Sequence, residues 1–269
     1  MAGSVSSYLG PSGIRRIAAD IRTVSKFPSA RFVRLASSGI DSLGLFARAN
    51  HIASALHETL AAPFPDVTRI LVEASGPPRQ DPGYGPMENF RFLAFTRIVS
   101  RNGMNHHSDS MWALKQLTRR FTSEFDIRPF LKDAESVTLR ALHEWVDDED
   151  FHVRRLVSEG TRTRLPWGPH LRTFREDPSK VLALIERLKT DKSRYVQISV
   201  ANNLADIIKD NAELGLKVAE RWADTGHPLT QRIVSHAVRF PAKKGIERAL
   251  SLRQVRARGN ARQDERSAR

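Results

Sequence analysis

The chain has 269 residues, 40% of them hydrophobic, and its 43 Lys and Arg against 30 Asp and Glu leave a formal charge of +13. That length can bury a sizeable core, as one elongated repeat domain or two compact ones, and that charge attracts polyanions before contact, so nucleic acid is the expected partner. The absence of cysteine removes disulfides, thiol nucleophiles, zinc fingers and cysteine-ligated iron–sulfur clusters.

At the N-terminus, MAGSVSSYLGPSGIRR lacks the charged segment and apolar run of an export signal, so a cytoplasmic location is expected. No apolar run reaches bilayer length, and no basic helix carries an exposed Trp/Leu face, so a membrane partner is not expected. Ile14, Ile17, Ala18 and Ile21 recur at helical spacing and open a helical block over residues 1–75. The segment SGPPRQDPGYGP, 75–86, packs seven prolines and glycines into twelve residues, which no helix absorbs. It reads as a surface loop, assigned to 76–90, serving either as a plain connector or as a nucleic-acid contact through Arg79 and Tyr84.

From about residue 91 the helices become repetitive. HVRRLVSEG (152–160), YVQISVANN (195–203) and LTQRIVSHA (229–237) align without gaps and start 43 and 34 residues apart, while Val181, Leu182, Ile185 and Leu188 mark a further helix between the first two. These intervals suit two-helix units of the HEAT kind, and the expected fold is all-α, with HEAT-like repeats over 91–250 stacked into a curved superhelix. The last segment, 251–269, holds six arginines and few apolar residues and reads as a disordered basic tail.

The repeats also predict which side chains share a face. Val153, Leu156 and Val157 point inward, which turns Arg155 and Glu159 together to the opposite side. Gly160 then ends the helix, and Pro166 biases TRTRLPW toward an extended strap that delivers Trp167 from a loop. Between His152 and Arg175 there are six arginines and one acid. In the next unit Ser199, Asn202 and Asp206 form a polar stripe opposite Val196, Val200, Leu204 and Ile207, and in the third Arg232, Ser235 and Arg239 take the same place. Carboxylates in a cationic groove repel phosphate, a cost that catalysis on a cationic substrate would offset. Taken singly, each feature has a bland alternative: a solvated ion pair for Arg155 and Glu159, an Asn that caps a neighbouring helix, a Trp that anchors a loop.

The string HVRRLVSEGTRTRLPWGPHL, 152–171, resembles the signature of AlkC-type DNA glycosylases, bacterial enzymes of the HEAT-like repeat alkylpurine glycosylase superfamily. FTSEFDIRPFL (121–131) and VANNLADIIKD (200–210) support the match, which covers roughly 90–240. The resemblance implies that Glu159 and Asp206 are an acidic pair facing the lesion, with Glu124 as a third catalytic carboxylate. It makes Trp167 the aromatic that packs on the damaged nucleotide, and Arg155 a backbone-gripping residue, to which Arg162, Arg164, Arg232 and Arg239 are added as expected backbone contacts. It implies excision of N3-alkylated bases, chiefly 3-methyladenine and in some members 3-methylcytosine, from double-stranded DNA by a monomeric enzyme without cofactor or metal, working at the nucleoid. Many relatives continue into a C-terminal immunoglobulin-like sandwich, whereas this sequence has no strand-patterned segment and resembles the shorter subgroup; the arginine tail is expected to take over part of the clamping.

Two other functions are compatible with the charge: a non-catalytic relative that binds branched or distorted DNA, and a scaffold for acidic proteins, which leaves the groove carboxylates unexplained. No GxxxxGK[ST], HExxH or GxSxG pattern is present. The adjacent His106 and His107 are poorly spaced for a helical metal site and read as surface residues.

Overall fold

The structure, a computed structural model, describes residues 5–253; of the expected basic tail over 251–269, residues 251–253 are helical with Leu252 buried, and the rest lies outside the described residues. Its contacts divide the chain into two compact units, Met1–Ala141 and Leu142–Arg269. Every regular element among the described residues is helical, and none is long and apolar enough to cross a membrane.

The N-terminal unit begins with a 3-10 turn, Val5–Leu9, followed by α1 (Pro11–Arg22), α2 (Ser29–Ser37), α3 (Leu45–Leu60) and α4 (Phe64–Ala74). Ile14, Ile17, Ala18 and Ile21 are the buried stripe of α1. A second 3-10 segment, Ile40–Ser42, lies between α2 and α3, and after a third, Met87–Phe92, come α5 (Leu93–Asn102), α6 (His107–Thr118), α7 (Arg128–Asp133) and α8 (Glu135–Trp145), the last running across the boundary between the units. The Pro/Gly-rich stretch before Met87 is irregular but tied down. The Arg79 backbone N–H donates to Arg119 O at 2.8 Å, and its guanidinium donates to Gly83 O at 2.7 Å and to the Asp81 carboxylate at 2.7 Å. Arg79 therefore serves as the loop's internal brace, a use its surface-loop reading did not anticipate. His107 is also more than a surface group: its Nε2 lies 3.1 Å from Thr138 Oγ1 and its ring meets Phe130 edge-on, while His106 stacks on Phe64.

The C-terminal unit holds α9 (Phe151–Gly160), α10 (Arg172–Glu176), α11 (Ser179–Leu188), α12 (Arg194–Asp210), α13 (Ala212–Asp224), α14 (Pro228–Ala237) and α15 (Arg239–Lys243). The three segments that align in sequence are α9, the start of α12, and α14, and these pack as neighbours with α12 in the middle. Behind them α11 contacts α9 and α12, and α13 contacts α12 and α14. This is the two-layer arrangement of a HEAT-like repeat, in which each inner helix is backed by an outer one.

Local chemistry explains the boundaries. Asp150 caps α9 by accepting the His152 N–H at 2.8 Å, which satisfies one of the orphan donors of the first turn. Val153, Leu156 and Val157 are fully buried, each contributing on the order of 1.5–3 kcal/mol by leaving water. Where α12 turns into α13, Gly215 permits a close approach. A Cβ there would fall 2.7 Å from the Ile208 Cα, so any side chain would push the two helices apart.

Candidate active site

One face of the C-terminal unit gathers most of the residues singled out from the sequence. Glu159 lies on the last turn of α9, four residues after Arg155, and the two guanidinium and carboxylate groups meet at 3.6 Å. Neither is open to solvent: Glu159 is 6% exposed and Arg155 5%. Arg155 lies over the Tyr195 ring, 5.1 Å from its centroid, a contact suited to a cation. The expectation that both face an open groove is thereby modified, because Arg162 of the strap covers the Glu159 carboxylate and the Tyr195 ring of α12 lies against Arg155.

Arg162 is the centre of that cover. Its NH1 donates to Glu159 Oε1 at 2.7 Å, while its Nε donates to Asp206 Oδ2 at 2.8 Å. One guanidinium thus spans the two carboxylates. Ser199 donates to the other oxygen of Glu159 at 2.6 Å, leaving that carboxylate gripped from both sides. Two carboxylates this sheltered need such partners, since an unpaired buried charge costs several kcal/mol.

The same partners divide the two acids electrostatically. Burial pushes the Glu159 carboxyl up, but Arg155, Arg162 and the Ser199 hydroxyl together hold it below its ordinary value. For Asp206 burial also raises the pKa; Arg162 pulls it down only in part, because Glu159 and Asp210 add negative charge nearby, and it ends above its ordinary value. Glu159 is therefore the firmly ionised member, and Asp206 the one with more affinity for a proton.

Trp167 follows on the strap and is 70% exposed, the most open of the large apolar side chains described. Its backbone sits in the left-handed region at φ 64, uncommon for a bulky residue and costing about 1–3 kcal/mol. Leu165 and Leu171 on either side are buried, so the chain is anchored before and after an aromatic held outward.

The expected backbone-binding arginines have diverse environments. Arg164 donates to Asp210 at 2.6 Å, and Arg239 donates to Asn202 Oδ1 at 3.0 Å and to His236 O at 2.8 Å. Arg232 is exposed, with no partner among the described residues. His236, whose Nε2 sits 3.2 Å from the same Asn202 oxygen, is pushed down to about 4 by burial and by Arg239, Arg194 and Arg253. Glu124 belongs to the N-terminal unit; it is buried there, accepting from Thr122 Oγ1 at 2.7 Å and Tyr84 OH at 3.3 Å. Among the described residues no group of His, Asp and Glu is arranged to hold a metal ion.

No family model matches the chain. Among solved structures it is similar to the Pseudomonas fluorescens alkylpurine DNA glycosylase AlkC bound to DNA containing an abasic site analog: TM-score 0.86, 32% identity, 94% of this chain and 68% of that one covered. The chain belongs to the AlkC family. Among curated proteins it is 39% identical over 210 residues to the uncharacterized protein YhaZ of Bacillus subtilis, covering 78% of this chain and 56% of YhaZ, so it spans a little over half the length of that relative.

Two residues not singled out from the sequence, Asn203 and Asp210, complete the site's framework. Asn203 donates from Nδ2 to Ser158 O at 2.7 Å and to Thr161 Oγ1 at 3.1 Å, and Asp210 accepts from Thr163, Arg164 and Arg175. With Ser199 and Asp206 they form a stripe at i, i+4, i+7 and i+11 of α12, one helical face. That spacing was the available signal; it was overlooked because Asn202 seemed the natural partner of Ser199 and Asp206.

Proposed function

We propose that the chain is a DNA glycosylase that excises cationic N3-alkylated bases from duplex DNA, with 3-methyladenine as principal substrate and 3-methylcytosine as a second candidate. What carries the proposal is the buried Glu159–Arg162–Asp206 bridge on the strap that also presents an exposed Trp167, in a member of the AlkC family whose solved relative is bound to DNA containing an abasic site analog.

The chemistry follows from the substrate's charge. An N3-alkylated adenine carries a positive charge, so the C1′–N9 bond breaks with its electron pair moving to the base, which leaves neutral and needs no general acid. The sugar is left as an oxocarbenium ion. Glu159, ionised throughout the working range, stabilises that charge as a fixed carboxylate. A water then bonds to C1′ and gives up its proton; Asp206, the more basic of the two acids, accepts it. Trp167 stacks on the damaged nucleotide, a cation–π contact of about 1–2 kcal/mol when desolvated. Glu124 is assigned as a third carboxylate at the lesion, and Arg155, Arg162, Arg164, Arg232 and Arg239 as contacts to the DNA backbone.

The test is to incubate the purified chain with methylated duplex DNA and chromatograph the released bases. Release of 3-methyladenine well above spontaneous loss is expected. Tight DNA binding with no release would leave a passive DNA-binding protein in place of the enzyme.

A further inference from the structure

Asp210 is the last residue of α12, and its side chain is 2% exposed. A carboxylate so placed is costly unless fully compensated, and the compensation comes from the strap and from α10. Thr163 Oγ1 donates to Oδ2 at 2.7 Å, Arg164 Nε donates to Oδ1 at 2.6 Å, and Arg175 Nε donates to the same Oδ1 at 3.0 Å. Burial pushes the carboxyl up, but these three donors hold it below its ordinary value, so the contact is closed across the physiological range. The neighbouring Asn211 donates from Nδ2 to Arg175 O at 2.8 Å.

The geometry of these bonds matters more than their number. Arg164 precedes Trp167 and Arg175 follows it, so a single oxygen of Asp210 joins both ends of the loop that carries the aromatic. The segment within that loop has no helix until α10 begins at Arg172, and its exposed Trp167 adopts a backbone conformation at φ 64 that a free loop would not hold. Closing a short loop restricts the states open to it, and a strained residue persists only when its surroundings fix it.

We propose that Asp210 is a positioning residue, a clasp that closes the Trp167 loop at its neck and presets the indole for the damaged nucleotide. The proposal rests on the glycosylase reading only for the role of Trp167; the clasp itself is a structural device that can be observed without activity. It also changes what Arg164 and Arg175 do. Their first task is to complete the clasp, so their substitution acts on the loop as well as on DNA.

The test uses the full chain labelled with 5-fluorotryptophan, whose four tryptophans give four fluorine resonances, that of Trp167 assigned by its loss in Trp167→Phe. In Asp210→Ala the Trp167 resonance is expected to move and narrow as the freed loop samples many conformations, while those of Trp112, Trp145 and Trp222 stay in place. An unmoved Trp167 line in a folded Asp210→Ala protein would overturn the clasp. Thr163→Val, which removes one donor and buries no unpaired charge, provides a milder version if Asp210→Ala does not fold, and should shift the same line in the same direction; no shift in either variant counts against the proposal. In single-turnover base release, Asp210→Ala is expected to cost about 10-fold in the Trp167 background but under about 2-fold beside Trp167→Ala, the coupling expected when one residue acts through the other. Equal losses in both backgrounds would show that Asp210 acts on the fold generally and would overturn the positioning role. Failure of base release in every protein, wild type included, would instead refute the glycosylase reading while the fluorine shift still decided the clasp.

Discussion

Replacing Arg162 with Met keeps the aliphatic stem and removes the charge that joins Glu159 to Asp206. Glu159 loses a hydrogen bond at 2.7 Å and Asp206 one at 2.8 Å, and charge-assisted bonds of this kind contribute about 1.5–3 kcal/mol each. Arg155 still stands 3.6 Å from Glu159 and offsets part of the loss, so the expected cost is about 3–5 kcal/mol, the range for stripping one partner from a buried pair. At roughly 2–4 °C per kcal/mol, thermal unfolding followed by circular dichroism should fall by roughly 6–20 °C at pH 7. The pH dependence is the sharper signature. Glu159 has a depressed folded pKa, so its contribution is present above the ordinary 4.5 and is lost as pH falls through the folded value. Asp206 has a raised one, so its ionised form is a cost at neutral pH that disappears on acidification. Without Arg162 both carboxyls rise, and protonation relieves the variant before it affects the wild type. The gap between the two proteins should therefore narrow as pH drops from 7 toward 4. A gap that stayed constant over that range, or one below about 1 kcal/mol at pH 7, would refute the shared-cation account.

Glu159→Gln and Asp206→Asn should each slow single-turnover base release by about 100-fold or more while duplex affinity changes less than about 3-fold; wild-type activity in both would refute the assignment of the acids. In the wild type the rate should rise with pH as Asp206, raised above its ordinary 3.8, loses its proton, and that limb should be missing from Asp206→Asn. Trp167→Ala, at a side chain 70% exposed, should leave stability within about 0.5 kcal/mol but reduce release about 5- to 30-fold, the equivalent of about 1–2 kcal/mol of stacking; a loss of stability without a loss of rate would make the indole an ordinary anchor. Arg232→Ala should lower the slope of log K against log salt by about 0.9, the value for one phosphate contact, and an unchanged slope would remove Arg232 from the DNA-binding set.

The repeat was legible because burial imposes it. Val157, Val200 and Val234 sit at matching offsets of α9, α12 and α14 and are all buried, and the helical period of apolar residues is what such burial leaves in a sequence. The meeting of Arg155 with Glu159 was legible for the same reason, four residues being one helical turn. What could not be read was where the strap goes after Gly160. The sequence offers Arg162 as a cation for phosphate, but nothing within the strap shows that its donors also reach a helix 44 positions later. Arg79 is a similar case: in the sequence it is an arginine in a surface loop, and in the structure its two terminal nitrogens donate within that loop. Long polar side chains take partners that no local period encodes, so the fold of this chain was more readable than its ion pairs.

Those ion pairs bear on why the carboxylates do not simply repel DNA. Glu159, Asp206 and Asp210 are each matched to a strap arginine, Arg162 to the first two and Arg164 to the third, where Arg175 of α10 joins it. Before DNA arrives the cluster is thus close to neutral, and the repulsion expected of acids in a cationic face is largely cancelled by cations on the same short segment. The cancellation is uneven, however. Glu159 has Arg155, Arg162 and Ser199 on its side, whereas Asp206 shares Arg162 and faces two other acids. Uniform neutralisation would give two equivalent carboxylates with nothing to distinguish an electrostatic stabiliser from a proton acceptor. The uneven sharing of one guanidinium separates them, so the same bond network that makes the acids tolerable beside DNA also assigns them different chemical tasks.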